Sequence, residues 1–539
     1  MNSPRQERLL QVDERAISAD QTNDSHVESQ GKPAINIEKI RSWLSLCQSS
    51  HSACKSANGQ FEVPTRLIDT KTDDNTLDVV LRERIDTPEP YIILSYCWGG
   101  SLPLRTLQNN LSSHKKRIRW SALPLVFRQV ISLARHLKIR YVWIDALCII
   151  QEDMMDWTLE GSKMGSYYGG ALLTVAANAS SGTTVSCFPR SVTRPSVVDV
   201  KGGEVKIEIS KVPMHFSMEK TRFVKDTPLA MPLFSRAWAF QERLMSARIL
   251  HLGPEELVWE CSSDLRCECC LSPGVFYGTP APLIESFRTS HYTELLSGDL
   301  GEYWHDLIEM YLIRSLTFEN DKLKAIMGLA EQVKNSQKEN VSMLGSYILG
   351  LWSSTLENSL LWSNLGDSPS RNSRFPSWSW ASIEGSWQYQ RPPPASEFVS
   401  RASILKTPPH SWDTDPTVPA SDYELVISGH ALKGVLSASK VPKGQGLVHW
   451  ALCTGLECDK DPDLLLSLDS KSDCNIQRPA LSVTCLQLGI SKIYSKTRTW
   501  GLILQARQGD RTSFERIGIM TASEDWYKTS VWNHSIRIL

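Results

Sequence analysis

The sequence predicts an α/β protein: a parallel sheet flanked by helices, then a helical middle region and a mainly β C-terminal region. Three observations carry that expectation. Between residues 91 and 178 short apolar runs alternate with amphipathic segments, the order that makes parallel strands joined by right-handed crossovers. Between 300 and 365 apolar residues recur at helical spacing, clearest in WHDLIEMYLIRSLT and DKLKAIMGLAEQV. From about 375 onward, β-like runs such as ELVISGHALKGV and RTWGLILQAR are broken by Pro, Gly, Ser and Asp, the pattern of antiparallel strands.

A chain of 539 residues exceeds what one core can hold. Residues 1–35 are rich in Gln, Ser, Asp and Glu and are expected as a disordered tail. Residues 36–90 hold a helix, INIEKIRSWLSLCQSSH, with Ile40, Trp43, Leu44 and Cys47 on one side, and two paired strands, VPTRLIDT (63–70) and TLDVVLRER (76–84). The α/β domain spans 91–262. YIILSYCWGG (91–100) is a continuous apolar run stopped by two glycines, as in a buried central strand. In LPLVFRQVISLARHLK (123–138), Val126, Val130, Leu133, Ala134 and Leu137 repeat at helical spacing, and Pro124 suits the first turn. YVWID (141–145) is the next strand, Asp153 or Asp156 caps a helix to about Tyr168, and ALLTVAAN (171–178) is a third strand. An insertion at about 180–228 contains the strand-like VKIEIS, and SRAWAFQERLMSARILHLG (235–253) reads as helix then strand. The helical region covers 263–375 and the β-rich region 376–539. No repeat of 20–50 residues is present.

The composition is 41% hydrophobic and 22% charged with a formal net charge of −1, which argues against a general nucleic-acid or membrane-surface binder. HKKRIRW (114–120) reads as a solvated basic loop. MNSPRQERLLQVDER carries charges where a signal peptide needs an apolar run, and no stretch approaches the roughly 20 apolar residues of a membrane span. A cytoplasmic location is expected. There, most of the 13 cysteines are free thiols. The 18 tryptophans point to a Trp-rich core rather than to aromatic walls around a site.

GxxxxGK[ST], GxGxxG, HExxH and GxSxG are all absent, which removes the common nucleotide and hydrolase signatures. Cys47, His51 and Cys54 could supply three metal ligands, with a fourth from Cys261, Cys267, Cys269 or Cys270, the last three lying in RCECC (266–270). The C-x3-H-x2-C spacing lacks the paired CxxC of a zinc ribbon, so buried thiols without metal are expected. Asp145 ends a predicted strand, beside Ser95, Tyr96 and Trp98 at the end of the preceding one. Carboxyl ends of strands face the ligand crevice of an open α/β sheet. The structural alternatives are a capping or arginine-paired Asp145 and tight packing at Gly99–Gly100. Glu242 is the sharpest catalytic candidate. It lies one helical turn after Trp238, where an aromatic wall would raise the carboxyl pKa. Its structural alternative is an ion pair with Arg236, Arg243 or Arg248.

At these blocks the chain resembles the fungal heterokaryon-incompatibility family. The matching segments are YIILSYCWG, the run from LPLVFRQV to LLTVAA, and the run from PLFSRAWAFQERL to VWEC, with VPTRLIDT upstream and YLIRSLTFENDKLKAIMGLA and FPSWSWAS downstream. The resemblance is dense over about 60–385. It implies a role in non-self recognition, in which incompatible fusion cells undergo programmed cell death. It also implies a flavodoxin-like fold distantly similar to TIR domains, some of which cleave NAD+ with a helix glutamate in W-C-x-x-E. Trp238 and Glu242 keep that spacing, with Ala239 in place of the cysteine. On this basis Glu242 is the catalytic residue, NAD+ the candidate substrate, and Ser95, Tyr96, Trp98, Asp145 and Trp238 line its site, Asp145 as a crevice or structural carboxylate. Cleaving the nicotinamide–ribose bond passes through an oxocarbenium-like state that a carboxylate stabilises. Nicotinamide already leaves from a cationic ring, so one glutamate suffices, and Tyr96, Trp98 or Trp238 could stack on that ring. The competing reading is a non-catalytic signalling module that self-associates or meets an unknown protein partner, its motif residues serving as core and interface.

Overall fold

The computed structural model describes residues 35–54, 61–70, 77–83, 89–100, 104–189, 196–199, 206–209, 231–268, 300–335, 344–364, 370–385, 389–390, 392–409, 422–439, 449–453, 464–469, 480–493 and 496–539. The N-terminal tail, except its last residue, and most of the 180–228 insertion lie outside these residues.

Helix α1 (Ile37–Ser50) starts where the Asn36 side chain accepts from the Lys39 N–H and buries Ile40, Trp43, Leu44 and Cys47. Strands β1 (Arg66–Asp69) and β2 (Val80–Glu83) pair antiparallel. β3 (Tyr91–Ser95) is buried throughout. The turn after it needs glycine: Gly99 has φ +82°, and a Cβ there would meet the Gly182 Cα at 2.9 Å. The basic run 114–120 is not a loop throughout: a short helix, α2 (Leu111–Lys116), takes its first residues and buries His114. Helix α3 (Leu125–His136) has Pro124 at its N-cap, just outside the first turn where it was expected.

Strand β4 (Tyr141–Trp143) is shorter than expected, because Asp145 already opens a one-turn helix, α4 (Asp145–Cys148). Helix α5 (Met154–Gly170) is capped by Asp153, whose carboxylate accepts from the Met155 and Asp156 amides. β5 (Leu173–Ala176) follows. In the insertion, β6 (Ser196–Asp199) and β7 (Lys206–Ile209) form a hairpin. Helix α6 (Ala237–Met245) leads into β8 (Arg248–Leu252), β9 (Leu257–Cys261) and β10 (Leu265–Cys267).

Eight of these strands make one sheet in the order β10-β9-β8-β5-β3-β4-β1-β2. The four central strands are parallel, with β3 pairing β4 and β5, and β5 pairing β8. Both edges are antiparallel, so the sheet is mixed rather than wholly parallel. On one side the cause is loop length: the links at 253–256 and 262–264 are hairpin-sized, and a parallel return needs a crossover of a dozen residues or more.

The middle region keeps its helices α7 (Leu300–Leu312) and α8 (Lys324–Asn335). Ser353–Ser359 is helical again, but the helical expectation fails between 344 and 352. There Tyr347–Ile348 pairs antiparallel with Leu351–Trp352 around Leu349 and Gly350, both at positive φ, a turn that no helix can run through. The Gly350 carbonyl accepts both the Trp304 and Trp380 indole N–H groups, at 2.9 and 3.0 Å. Trp143, Trp259, Trp304, Trp352, Trp362, Trp378 and Trp380 are all fully buried, which makes the tryptophans chiefly core. The C-terminal region is a nine-stranded sheet among the described residues. Its path closes on itself, because strand Leu425–Ser439 pairs with both Leu481–Ile493 and Val531–Ile538. This sheet shares one apolar core with the helical region and the near face of α6.

Helices α5 and α8 touch backbone to backbone. A Cβ on Gly165 would meet the Gly328 Cα at 3.1 Å, and one on Gly328 would meet the Gln241 Oε1 at 3.0 Å. Gly165→Val or Gly328→Val is therefore expected to force the helices apart and to cost about 1–3 kcal/mol, read as a lower denaturation midpoint with an unchanged m-value.

Candidate functional site

The carboxyl ends of β3 and β4 meet the buried helix α6, and the candidate residues gather there. Glu242 is 6% exposed. Ser95, the last residue of β3, donates its hydroxyl to Glu242 Oε2. Tyr168, from the last turn of α5, lies beside the same carboxyl, outside standard hydrogen-bond geometry, and donates to the Leu94 carbonyl at 3.1 Å. Arg236, at the N-cap of α6, donates to the Tyr96 carbonyl and faces Glu242 and Asp145 through space.

Asp145 is held by the Trp98 indole N–H, at 2.7 Å to Oδ2, and by its neighbour's amide, Ala146 N to Oδ1 at 2.6 Å. Asp145 is the first residue of α4 and not its cap, since Ile144 is the N-cap and makes no side-chain cap bond; its carboxylate is tied to the crevice through Trp98. The buried Tyr96 hydroxyl lies beside Asp145, outside standard hydrogen-bond geometry. Ser95, Tyr96, Trp98, Asp145 and Glu242 therefore share one cluster. Trp238 turns to the side of it, packing edge-to-face on Trp157 with ring centroids 6.3 Å apart.

Two of the three arginines named as partners for Glu242 go elsewhere. Arg243 reaches Glu260, with Nε 3.1 Å from Oε2. Glu260 also takes His251 Nε2 at 2.6 Å. Arg248 donates to Cys47 Sγ and to the Cys54 carbonyl. Only Arg236 faces Glu242. Tyr168 had no motif to flag it. Its signal is positional: a tyrosine on the buried face of a helix that ends at Gly169–Gly170 against the sheet.

Electrostatically the cluster sets two carboxyl groups against one guanidinium. Burial pushes the Glu242 pKa up to about 7, and Asp145 adds to the rise, while Arg236, Ser95 and Tyr168 pull it down. Burial also raises Asp145, against Tyr96, Trp98 and Arg236. A carboxyl poised near neutrality beside a second one can exchange a proton or stabilise a developing cation. Space is scarce: a cavity of about 10 Å³ adjoins Ser95, Asn178 and His251, room for roughly one water.

The family model described as Heterokaryon incompatibility protein (HET) matches residues 91–242. This segment is similar to the HET domain. It opens on β3 and closes at Glu242, so both ends of the match contribute to the cluster. Strands β1, β2 and β8–β10 complete its sheet from outside the matched segment. Neither the curated proteins nor the solved structures contain a match to the chain.

Protonation of Glu242 is linked to stability. Its folded pKa stands above the ordinary 4.5, so the folded chain holds this proton more tightly than the unfolded chain. The stabilisation is complete below about pH 4.5 and is lost as pH rises to about 7. Glu242→Gln removes the dependence. Between about pH 5 and 8 the wild type is expected to lose stability relative to this variant, on the order of 3 kcal/mol, measured by denaturant titration at each pH.

Removing the charge of Glu260 takes the carboxylate from the buried Arg243 guanidinium and from His251 Nε2. Glu260→Gln is expected to cost about 3–5 kcal/mol, seen in the same titration.

Proposed function

We propose that the chain is a heterokaryon-incompatibility-type effector of fungal non-self recognition and programmed cell death, and that its HET domain acts by cleaving NAD+ through Glu242. The observation that carries this reading is the convergence of Glu242, poised near pH 7, with Ser95, Trp98 and Asp145 at the carboxyl ends of parallel strands. The spatial order of those four strands supports the flavodoxin-like and TIR-like comparison. Numbered along the chain they run 2-1-3-4, the doubly wound order whose crevice opens at the strand carboxyl ends.

In this mechanism nicotinamide departs as a neutral base with the bonding pair, the ionised Glu242 stabilises the oxocarbenium character left on the ribose, and a water molecule adds to that carbon and gives up a proton. Arg236 and Asp145 set the fraction ionised. Trp98, fixed by its bond to Asp145, supplies an aromatic face for the cationic ring.

A specific observation favours a second reading, a non-catalytic module. Glu242 is nearly inaccessible and accepts the Ser95 hydroxyl, as a structural carboxylate would.

Expression of the wild type and Glu242→Ala in a fungal host separates the two. The enzymatic reading expects cell death with loss of cellular NAD+ in the wild type and neither in the variant, whose melting curve must show a folded chain. Death without NAD+ loss would exclude it and leave the non-catalytic module.

A further inference from the structure

We propose that Cys47, His51, Cys54 and Cys261 form a structural site for one zinc ion, which fastens the N-terminal helix to the edge of the HET-domain sheet. Three of the four come from the end of α1. Cys47 sits in its last turn, and His51 is the C-cap, its N–H bonded to the Cys47 carbonyl at 3.2 Å. Cys54 closes the next turn onto the His51 carbonyl at 3.3 Å. A helix end followed by a tight turn thus brings the irregular C-x3-H-x2-C spacing to one point. The fourth, Cys261, ends β9. Cys267 is not in the group, and Cys269 and Cys270 lie outside the described residues.

The sulfurs and one imidazole nitrogen all lie within 4.8 Å of one another, and Cys261 Sγ is 3.4 Å from His51 Nδ1. A tetrahedral zinc with bonds of about 2.0–2.3 Å sets its ligand atoms roughly 3.4–3.8 Å apart, so the cluster needs only a slight contraction. All three cysteines are free and buried. Packing alone accounts for buried thiols but not for an imidazole nitrogen facing them. Three soft thiolates and an imidazole in tetrahedral reach select zinc among common divalent ions. Four protein ligands leave no open position, which makes the site structural rather than catalytic.

The surroundings fit an anionic centre. Three thiolates and a neutral imidazole around a divalent ion sum to one negative charge. Arg248, 6% exposed, supplies the opposite one. Its Nε donates to Cys47 Sγ at 3.3 Å and its Nη2 to the Cys54 carbonyl at 2.7 Å. The Ser263 hydroxyl stands 3.8 Å from Cys54 Sγ. Such outer partners orient ligands and hold them deprotonated. The same seam carries an aromatic contact, Trp43 of α1 against Trp259 of β9, with centroids 6.4 Å apart.

The test is metal analysis of the full chain purified without chelator. One zinc per chain is expected, released on titrating the thiols with a mercurial and counted with a chromogenic chelator. Cobalt replacing it should give intense tetrahedral d–d bands and a thiolate charge-transfer band. Cys261→Ser should lose at least nine-tenths of the zinc in the absence of free metal, roughly a tenfold or greater loss of affinity, while Cys485→Ser, at a buried cysteine remote from the site, keeps it. Should Cys261→Ser fail to fold, the stoichiometry and cobalt spectrum of the wild type decide. A metal-free wild type that takes up no cobalt, a disulfide among these cysteines, or full zinc retention in a folded Cys261→Ser overturns the proposal.

Discussion

Helix α6 carries three consecutive polar side chains, Gln241, Glu242 and Arg243, into the interior, and each is at least nine-tenths buried. A helix with one wet face would leave at least one of them in water. This one has none, because the sheet covers one side and the helical region the other. Burying a polar group without a partner costs several kcal/mol, so each residue commits a different element. Gln241 accepts the Gly328 N–H at 2.7 Å, which fixes α8. Glu242 takes the Ser95 hydroxyl and fixes the end of β3. Arg243 takes Glu260 and fixes β9. The placing of α8, β3 and β9 around one helix follows from satisfying three neighbours in sequence.

The same requirement explains why Glu242 has an unusual proton affinity. Arg243, the adjacent cation, is already bound to Glu260, and Arg248 is turned toward the thiols. The remaining cation, Arg236, is shared between Glu242, Asp145 and the Tyr96 carbonyl. Two carboxyl groups cannot both be fully compensated by one guanidinium in a desolvated site. Glu242, the more buried of the two, holds its proton up to about neutral pH. A functional carboxyl and a structural one differ here in access, since their charge environment is the same.

Much of the α/β domain was legible because its signals are local. Apolar runs ended by Gly99 and Gly100, the Asp153 cap and the helical stripe of α3 each act within a few residues. The crevice residues were legible for the same reason, since strand ends lie where strands stop. What sequence did not carry was pairing at a distance. The antiparallel edges depend on which strand reaches the sheet's rim, and residues 344–352 depart from helix because a Leu349–Gly350 turn at positive φ presents a carbonyl to two distant indoles. Tyr168 joined the site through tertiary packing. Cys261 was one of four candidates for the fourth ligand, and only the β8–β9 hairpin selects it. Trp238 marks the limit of periodicity arguments: it sits one turn from Glu242, as the spacing requires, yet its ring packs on Trp157.

The shared cation also constrains what the crevice can admit under the proposed reaction. A positively charged ring placed beside Glu242 would add a second cation to a site that has one for two carboxyl groups. An opposite charge within a few ångströms lowers a carboxyl pKa, so entry of the ring would expel the Glu242 proton. With Glu242 ionised, the Ser95 hydroxyl donates to a full carboxylate, a stronger charge-assisted bond that tightens the end of β3. Substrate charge, carboxylate formation and the hold on the strand end are thereby coupled through the Ser95–Glu242 hydrogen bond. A neutral molecule of the same shape would leave the proton in place and the carboxyl without the charge that stabilises a developing cation. Discrimination for a cationic ring then follows from the charge balance of the site itself, ahead of any contribution from shape.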